Sequence, residues 1–328
     1  NMVNLRDNVI NTNLVNDFSL LTKYALLSLL FIGISATSIR LVFFQSESIF
    51  SSDNLSYFKY AIDVSLTDKL PTNIILQNNG WPLLLSIFFK FSNLENYLDY
   101  MNLQSILSII ISTITIIPLY YLAKKFVNTS YALICTILFI FEPRIIQNSL
   151  IGVTDSLFVL LIVSSLALGG QKNKYMICGA FITIGFASIV RSEGLFLIPA
   201  LSLVCLLKFG ITKKTILQCI IFILISILII FPFSIQRIES TGNDFLIGRI
   251  IQSSSTFSEH TNDDPNQIFT KIGDSLYIFG GFLGRLMIPY LGIFVPLGII
   301  LFLKKEDIHK SLLIIPGFFL ILPSLYAY

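Results

Sequence analysis

The sequence predicts an all-α, polytopic membrane helix bundle with about nine transmembrane helices. Of its 328 residues 54% are hydrophobic and only 12% are charged, and the mean hydropathy is +0.80. Soluble domains carry about 25% charged residues, so this chain lacks the polar surface that water requires. Long apolar runs separated by short polar turns complete the pattern of a multi-pass membrane protein.

The apolar runs define the predicted helices, because about 20 apolar residues in a helix cross a bilayer. The run "WPLLLSIFF" at 81–89 is too short to cross and predicts an interfacial or re-entrant segment. The chain begins without Met and stops inside an apolar run. We therefore expect a truncated C-terminus and treat the helix count as a minimum. The predicted spans are roughly 24–44, 101–122, 127–142, 154–170, 175–190, 193–208, 214–235, 277–303 and 311–328.

The lysines predict the orientation, since short cytoplasmic loops are enriched in basic residues. The clusters "AKK" at 123–125, "QKNK" at 171–174, "TKK" at 212–214 and "KKEDIHK" at 304–310 all fall on one side of the predicted bundle. That side is expected to be cytoplasmic, together with the N-terminus. Residues 1–328 then form a single transmembrane domain, with long outer segments at about 45–100 and 236–276.

Arginines follow the opposite distribution from lysines. Six of the seven arginines lie in the half of the predicted bundle that faces away from the cytoplasm. A guanidinium binds phosphate or carboxylate in a bidentate fashion, so acids and arginines on one membrane face suggest a polar site there. The structural alternative is that these arginines pair only with the acids around them.

The first outer segment contains "SSDNLSYFKYAIDVSL" at 51–66. Asp53 is suited to N-cap a helix that begins at Asn54, and Leu55, Phe58, Ile62 and Leu66 then form an apolar stripe at helical spacing. Asp53 and Tyr57 fall near the start of this interfacial helix, where they can face a cavity. The sequence alone leaves open whether Asp53 is a cap or a catalytic group.

Two further outer turns carry charges between apolar spans. Glu142, Arg144 and Asp155 lie in "FEPRIIQNSLIGVTDSLF" at 141–158, and Arg191 and Glu193 lie in "VRSEG" at 190–194. Each group is consistent with a structural role, as an ion pair or a helix cap, and also with a polar site.

The order of these stretches, with "NNGWPLLLSIFFKF" and "ASIVRSEGLFLIPAL", resembles the GT-C class of glycosyltransferases that use polyprenyl-phosphate sugars. This class includes the protein O-mannosyltransferases and the aminoarabinose transferases. The resemblance covers roughly residues 24–210 and rests on short motifs. It implies a GT-C bundle with an extracytoplasmic active site built from the first outer loop.

By this resemblance, the acid of the first outer loop is the catalytic base, and it matches Asp53. Many family members have Asp-Glu at this point, whereas this chain has Asp53-Asn54. The departure leaves the need for a divalent cation, Mg²⁺ or Mn²⁺, undecided. The acid of the next outer loop matches Asp155 or Glu142, and the residues do not decide between them.

The chemistry implied by the resemblance needs a base for an acceptor hydroxyl and cations for the departing phosphate. Asp53 is the expected base, and Tyr57, Asn54 and Glu193 are expected near the substrates. The expected partners are the membrane, a polyprenyl-phosphate-linked sugar donor, and a lipid, glycan or protein acceptor. The candidate phosphate ligands are Arg191, Arg237, Arg285 and Arg144.

Other functions remain as alternatives or are not supported. A lipid-linked-saccharide flippase or another transporter also has many helices and buried charges, although transporters tend to show repeated halves and none is found here. A non-catalytic membrane scaffold does not require the outer clustering of acids and arginines. Basic residues are scattered over loop ends, so nucleic-acid binding is not expected, and His260 and His309 are too isolated to suggest a metal site.

Overall fold

The computed structural model describes residues 2–46, 52–72, 76, 78–92, 94–241, 298–300, 302 and 310–326. In these ranges the secondary structure consists of helices joined by short turns and irregular segments, and no strand occurs among them. The all-α prediction is therefore confirmed for the described part of the chain. Side chains are described only from residue 23 onward in the first helix.

The helices follow one another with short connections. A 3₁₀ helix at Ser192–Phe196 leads directly into α10. The α-helices are α1 Met2–Phe43, α2 Ser52–Thr67, α3 Gly80–Phe91, α4 Tyr97–Ile114, α5 Ile116–Ala123, α6 Thr129–Ile140, α7 Pro143–Ile151, α8 Asp155–Gly169, α9 Lys174–Val190, α10 Leu197–Phe209, α11 Lys213–Thr241 and α12 Ser311–Tyr326.

Four helical segments among the described residues are long and apolar enough to cross a membrane: Lys23–Phe43, Tyr97–Ala123, Ser192–Phe209 and Lys213–Glu239. The helices α6 and α7 make a fifth if their bent pair is one span. The helices α3, α8, α9 and α12 are apolar but shorter. The structure is thus compatible with a membrane helix bundle, but it does not show the predicted nine spans, and most of the predicted span 277–303 lies outside the described residues.

The sequence itself produces the bend between α6 and α7. Asn128 caps the start of α6, with its side chain accepting from the backbone N–H of Tyr131. Pro143 cannot donate a backbone hydrogen bond and is tolerated only in the first turn of a helix. Glu142 therefore begins a new helix, and the axes of α6 and α7 differ by 52°.

Four apolar clusters hold the described helices together, and the two largest matter here. The larger lies mainly between α8, α9, α10 and α11 and includes Phe181, Ile184 and Leu197. The smaller joins α2 to α3 through Phe58 and Trp81. The predicted apolar stripe of α2 therefore packs on protein at Phe58, whereas Leu66 at its end is 77% exposed.

The fold brings the charges together at opposite ends of the bundle. Asp155, which starts α8, contacts Arg191, which follows α9. We call this the arginine end. At the opposite end, the Lys208 amine donates to the carbonyls of Gly170 and Gln171, at 2.7 Å each. We call this the lysine end; it corresponds to the side that the sequence predicts to be cytoplasmic.

A fully buried arginine joins four helices near the arginine end. Arg40 of α1 donates from Nε to the Ser149 hydroxyl at 3.0 Å and from Nη1 to the Ala36 carbonyl at 3.0 Å. Its Nη2 donates to the Ser112 hydroxyl at 3.3 Å and to the Ile140 carbonyl at 3.0 Å. The planar guanidinium satisfies acceptors in α1, α4, α6 and α7 together, as a lysine ammonium cannot.

Candidate functional site

The centre of the site is an ion-pair cluster of Arg191 with two carboxylates. Arg191 Nη1 contacts Asp155 Oδ1, and Nη2 donates to Glu193 Oε1 at 3.0 Å. The ring of Phe158 lies below the guanidinium, 5.4 Å from its Cζ atom. Each of the three charged side chains is only about a third exposed, at 32%, 31% and 26% for Arg191, Asp155 and Glu193. The cluster is therefore partly shielded from water, where ion pairs are stronger than on a surface.

Local sequence explains why these groups converge. Asp155 is the first residue of α8, where the helix dipole favours a carboxylate. Arg191 ends α9 in an extended conformation, and the 3₁₀ turn that follows places Glu193 beside it. A Cβ atom at Gly194 would lie 2.7 Å from the backbone nitrogen of Ser188. Only glycine permits this close approach of the turn to α9.

The carboxylates keep Arg191 protonated. Burial acts to lower the pKa of Arg191, but the hydrogen bond and charge of Glu193, together with Asp155, outweigh burial and raise that pKa. Asn148 of α7 supports the arrangement by donating from Nδ2 to Asp155 Oδ2 at 2.9 Å. Asp155 is thus held by one group on each of its oxygens.

Tyr57 brings α2 to this cluster. Its hydroxyl is hydrogen-bonded to the Thr154 side chain, the residue before Asp155. Burial raises the pKa of Tyr57; Asp53 and Asp155 also raise it, while the Thr154 hydrogen bond and Arg191 lower it. The phenol therefore stays protonated, and it lies within electrostatic range of acids from two parts of the chain.

Asp53 lies in the first turn of α2, which starts at Ser52, two residues before the predicted start at Asn54. Asp53 is thus inside the helix and not at its cap position. Its side chain is exposed, and it stands four residues before Tyr57, which places both on one face of the helix.

Asn54 is almost fully buried beneath this turn. Its Nδ2 donates to the Ile151 carbonyl at 3.0 Å, and its own carbonyl accepts from Gln104 Nε2 at 3.3 Å. Asn54 therefore fixes the start of α2 against α7 and α4. Asn54, which is expected near the substrates from the sequence, thus anchors the helical turn that carries Asp53.

The sequence leaves open whether Asp155 or Glu142 is the acid of the next outer loop. In the structure Asp155 joins the ion-pair cluster, whereas Glu142 caps the helix α7. Glu142 Oε2 accepts from the Ile145 backbone N–H at 2.9 Å, which agrees with the structural alternative for Glu142. Arg144 is exposed at the start of α7.

Arg237 lies in a separate polar group beneath α2 and α3. It is 2% exposed, and its two terminal nitrogens donate to Asn79 Oδ1 and Ser234 Oγ, both at 3.4 Å. Asn79 Nδ2 in turn approaches the Tyr60 hydroxyl at 3.5 Å. Arg285, and most of the outer segment 236–276, lie outside the described residues.

A cavity of about 210 Å³ adjoins the ion-pair cluster. Asp155 belongs to both, because its carboxylate binds Arg191 while its side chain lines the cavity. The other lining residues are Ser112 and Thr115 from α4 and its junction with α5, Phe139 from α6, Ile145 and Asn148 from α7, and Ser156 and Val159 from α8.

The polar face of α4, which reaches this cavity at Ser112, was not identified from the sequence. Gln104, Ser108 and Ser112 recur every four residues along the apolar helix α4, and all are buried. Ser108 is hydrogen-bonded to Ser156 at 2.8 Å. Polar residues at helical spacing in a membrane helix indicate a face directed into the protein, and this signal was present in the sequence. The contact between Arg40 and Ser112 has no comparable sequence signal.

The described residues do not fit a divalent cation. Mg²⁺ and similar ions need several oxygen ligands in a regular arrangement, and no group of three or more acids, histidines or cysteines is placed for one in the described part of the chain. Asp155 and Glu193 are both engaged by Arg191.

Comparisons of the chain with protein-family models, with curated proteins and with solved structures returned no match. The geometry of the arginine end is therefore what bears on function.

Proposed function

We propose that the chain is an integral-membrane glycosyltransferase that moves a sugar from a polyprenyl-phosphate donor to an acceptor hydroxyl at the arginine end of the bundle. One observation supports the proposal above the others. Asp155, Arg191 and Glu193 form a partly shielded cluster, and Tyr57 links it electrostatically to Asp53. These groups come from distant parts of the sequence, and the resemblance to the GT-C class implies an active site that holds Asp53 and an acid of the next outer loop, Asp155 or Glu142.

In this proposal Asp53 is the general base. Its carboxylate is exposed on the first turn of α2, so an acceptor can approach it, and Asn54 anchors that turn to the bundle. A positioned base typically accelerates a reaction by about 10²–10⁴-fold. Tyr57, whose phenol is protonated, orients the acceptor hydroxyl beside Asp53.

Arginines supply positive charge for the leaving phosphate. Arg191 already shares its charge with two carboxylates, so its role is to position Asp155 and Glu193. Arg144, exposed near the start of α7, adds a second guanidinium. Arg237 is buried and acts only through its field, and Arg285 is retained as a candidate from the sequence.

The proposed reaction is one direct displacement. The acceptor hydroxyl gives its proton to the Asp53 carboxylate as its oxygen bonds to the anomeric carbon. The bond between that carbon and the phosphate oxygen breaks, and its electron pair leaves with the polyprenyl phosphate. One displacement inverts the configuration at the anomeric carbon. In this proposal the guanidinium of Arg144 and the field of Arg237 stabilise the phosphate that develops, since the charge of Arg191 is neutralised by its two carboxylates.

The test uses the full chain in proteoliposomes with a polyprenyl-phosphate sugar labelled in both the sugar and the lipid. The proposal expects labelled sugar in an acceptor product and an equal amount of free polyprenyl phosphate. Arg191→Met is expected to reduce the rate at least tenfold, since the cluster loses its cation. Passage of the intact labelled donor across the bilayer, with neither product formed, contradicts the proposal.

A transporter of lipid-linked saccharides is the second candidate, and one observation favours it. The 52° bend between α6 and α7 makes this pair a broken span or a re-entrant loop, and discontinuous helices are typical of transporter binding sites. The doubly labelled donor distinguishes the two functions, because transport leaves the sugar–phosphate bond intact.

A further inference from the structure

We infer that the cavity between α4, α6, α7 and α8 is a binding site for a single sugar ring. The inference rests on the proposed function, in which this sugar is the one attached to the donor. Pockets for drug-sized ligands measure about 300–1,000 Å³. A cavity of about 210 Å³ is smaller and matches a ligand of one ring.

The walls of the cavity divide into a polar and an apolar part. Phe139, Ile145 and Val159 give apolar surface, and the remaining lining residues carry hydroxyl, amide or carboxylate groups. A sugar ring has the same division, with hydroxyls around its edge and C–H groups on its faces. Stacking a C–H face on Phe139 leaves the ring hydroxyls directed toward the polar wall.

The polar wall offers both donors and acceptors, as a hydroxyl-rich ligand requires. Ser112 Oγ accepts from the fully buried Arg40 at 3.3 Å. A hydroxyl that accepts from a cation is polarised and becomes a stronger donor, so the Ser112 proton is directed to a ligand oxygen. Asn148 donates from Nδ2 to Asp155, which leaves its carbonyl oxygen as an acceptor for a ligand hydroxyl.

The position of the cavity connects the sugar to the proposed chemistry. Asp155 lines the cavity and binds Arg191, so a ring in the cavity has one edge at the ion-pair cluster. The anomeric carbon lies at that edge, the phosphate attached to it lies outside the cavity, and the rest of the ring lies between the helices.

Two other ligand classes fit the cavity less well. A free phosphate inside the cavity would find no basic side chain among the lining residues and would face the Asp155 carboxylate, whose like charge repels it. A lipid acyl chain would place hydrocarbon against the Asp155 carboxylate and the Asn148 amide, and the desolvation of such polar groups is costly. A polyol avoids both costs.

The test is saturation-transfer NMR on the full chain in nanodiscs, purified without glycoside detergents, which would compete for the site. The probes are methyl hexopyranosides, with cyclohexylmethanol and inorganic phosphate as comparisons. We expect saturation to reach the C–H groups of one ring face in at least one hexoside, and neither comparison compound to displace it.

Substitutions inside and outside the cavity show whether the hexoside binds there. Val159→Phe fills the cavity and is expected to weaken hexoside binding more than tenfold, whereas Val42→Phe, at a position that is 80% exposed on α1, leaves it unchanged. Ser112→Ala removes one donor without adding bulk and is expected to weaken binding roughly fivefold. Ser38→Ala, at an exposed position of α1, is its matched control. If Val159→Phe does not fold, Ser112→Ala decides the question.

The outcomes separate this inference from the proposed function. Hexoside binding that depends on Ser112 supports the sugar site even if no sugar transfer is ever observed. No saturation of any hexoside by the wild type, or binding that neither cavity variant weakens, overturns the sugar site. Sugar transfer that continues at the full rate in Val159→Phe also overturns the site, and it leaves the glycosyltransferase proposal standing.

Discussion

The arginine end depends on the ion pair between Arg191 and Asp155. A double-mutant cycle measures the coupling free energy of this pair. The perturbations are Arg191→Met, Asp155→Asn and both together. Arg191→Met removes the cation and leaves the carboxylates of Asp155 and Glu193 facing each other. Asp155→Asn keeps the size of the side chain and removes its charge.

The structure sets the expected magnitude. A hydrogen bond to a charged group contributes about 1.5–3 kcal/mol, and an exposed ion pair about 0–1 kcal/mol. The side chains of Arg191 and Asp155 are 32% and 31% exposed, which places this pair between the two classes. We therefore expect a coupling free energy of about 1–2 kcal/mol, and a loss of about 2–3 kcal/mol for Arg191→Met alone.

The assay is equilibrium unfolding of the full chain in mixed micelles with increasing denaturing detergent. The pair between Lys90 and Asp68 is the matched control, since its Nζ–Oδ1 distance is 2.5 Å but its side chains are 52% and 70% exposed. A cycle through Lys90→Met and Asp68→Asn is expected to give a coupling below about 0.5 kcal/mol. Equal couplings for the two pairs, or a coupling near zero for Arg191 and Asp155, would refute the reasoning.

Further predictions concern other parts of the bundle and use thermal unfolding in detergent. Arg40→Met is expected to cost about 3 kcal/mol, because it leaves four buried acceptors without their donor. Gly194→Ala is expected to cost at least about 1–3 kcal/mol, since the added Cβ meets backbone at 2.7 Å. Gly33→Ala, whose Cβ meets only side chains at 3.9 Å, is neutral or stabilising. Burial, with a smaller effect of the neighbouring Lys208 charge, lowers the pKa of Lys125 to about 8. The unfolded chain then binds more protons above pH 8, so stability relative to Lys125→Met rises between about pH 8 and 10.

Each of these predictions has a result that contradicts it. Arg40→Met with wild-type stability would mean that water replaces the guanidinium at its acceptors. If alanine at Gly194 and at Gly33 changed the stability equally, the close approach of the 3₁₀ turn to α9 would not explain the glycine at position 194. A stability difference between wild type and Lys125→Met that is constant from pH 7 to 10 would show that the amine is not shielded.

Most of the long helices were predictable from the sequence, because a run of apolar residues is a local feature of the chain. Apolar runs predicted α8, α9, α11 and the second half of α1, whereas residues 143–151, expected in an outer turn, form the helix α7. The number of membrane-spanning helices could not be predicted from such runs. Several short runs, such as the one that forms α8, pack within the protein, and length alone does not show whether a helix of 15 residues crosses a bilayer.

The site was predictable only in part. Arg191 and Glu193 are two residues apart, and their pairing follows from that spacing. Asp155 joins them because α8 and α9 run antiparallel, so its contact with Arg191 depends on helix packing. The burial of Arg40 and the cavity beside Ser112 depend on four helices meeting, and nothing within any one of those helices specifies it.

The most direct test of the account is the rate of sugar transfer by Asp53→Asn, measured with saturating labelled donor in proteoliposomes. Asp68→Asn is the control, because it removes an exposed carboxylate just after the same helix, and asparagine tolerates the left-handed backbone at that position. The account predicts a fall of about 10²–10⁴-fold for Asp53→Asn, unchanged donor binding, and wild-type transfer by Asp68→Asn. Transfer by Asp53→Asn at the wild-type rate would contradict it.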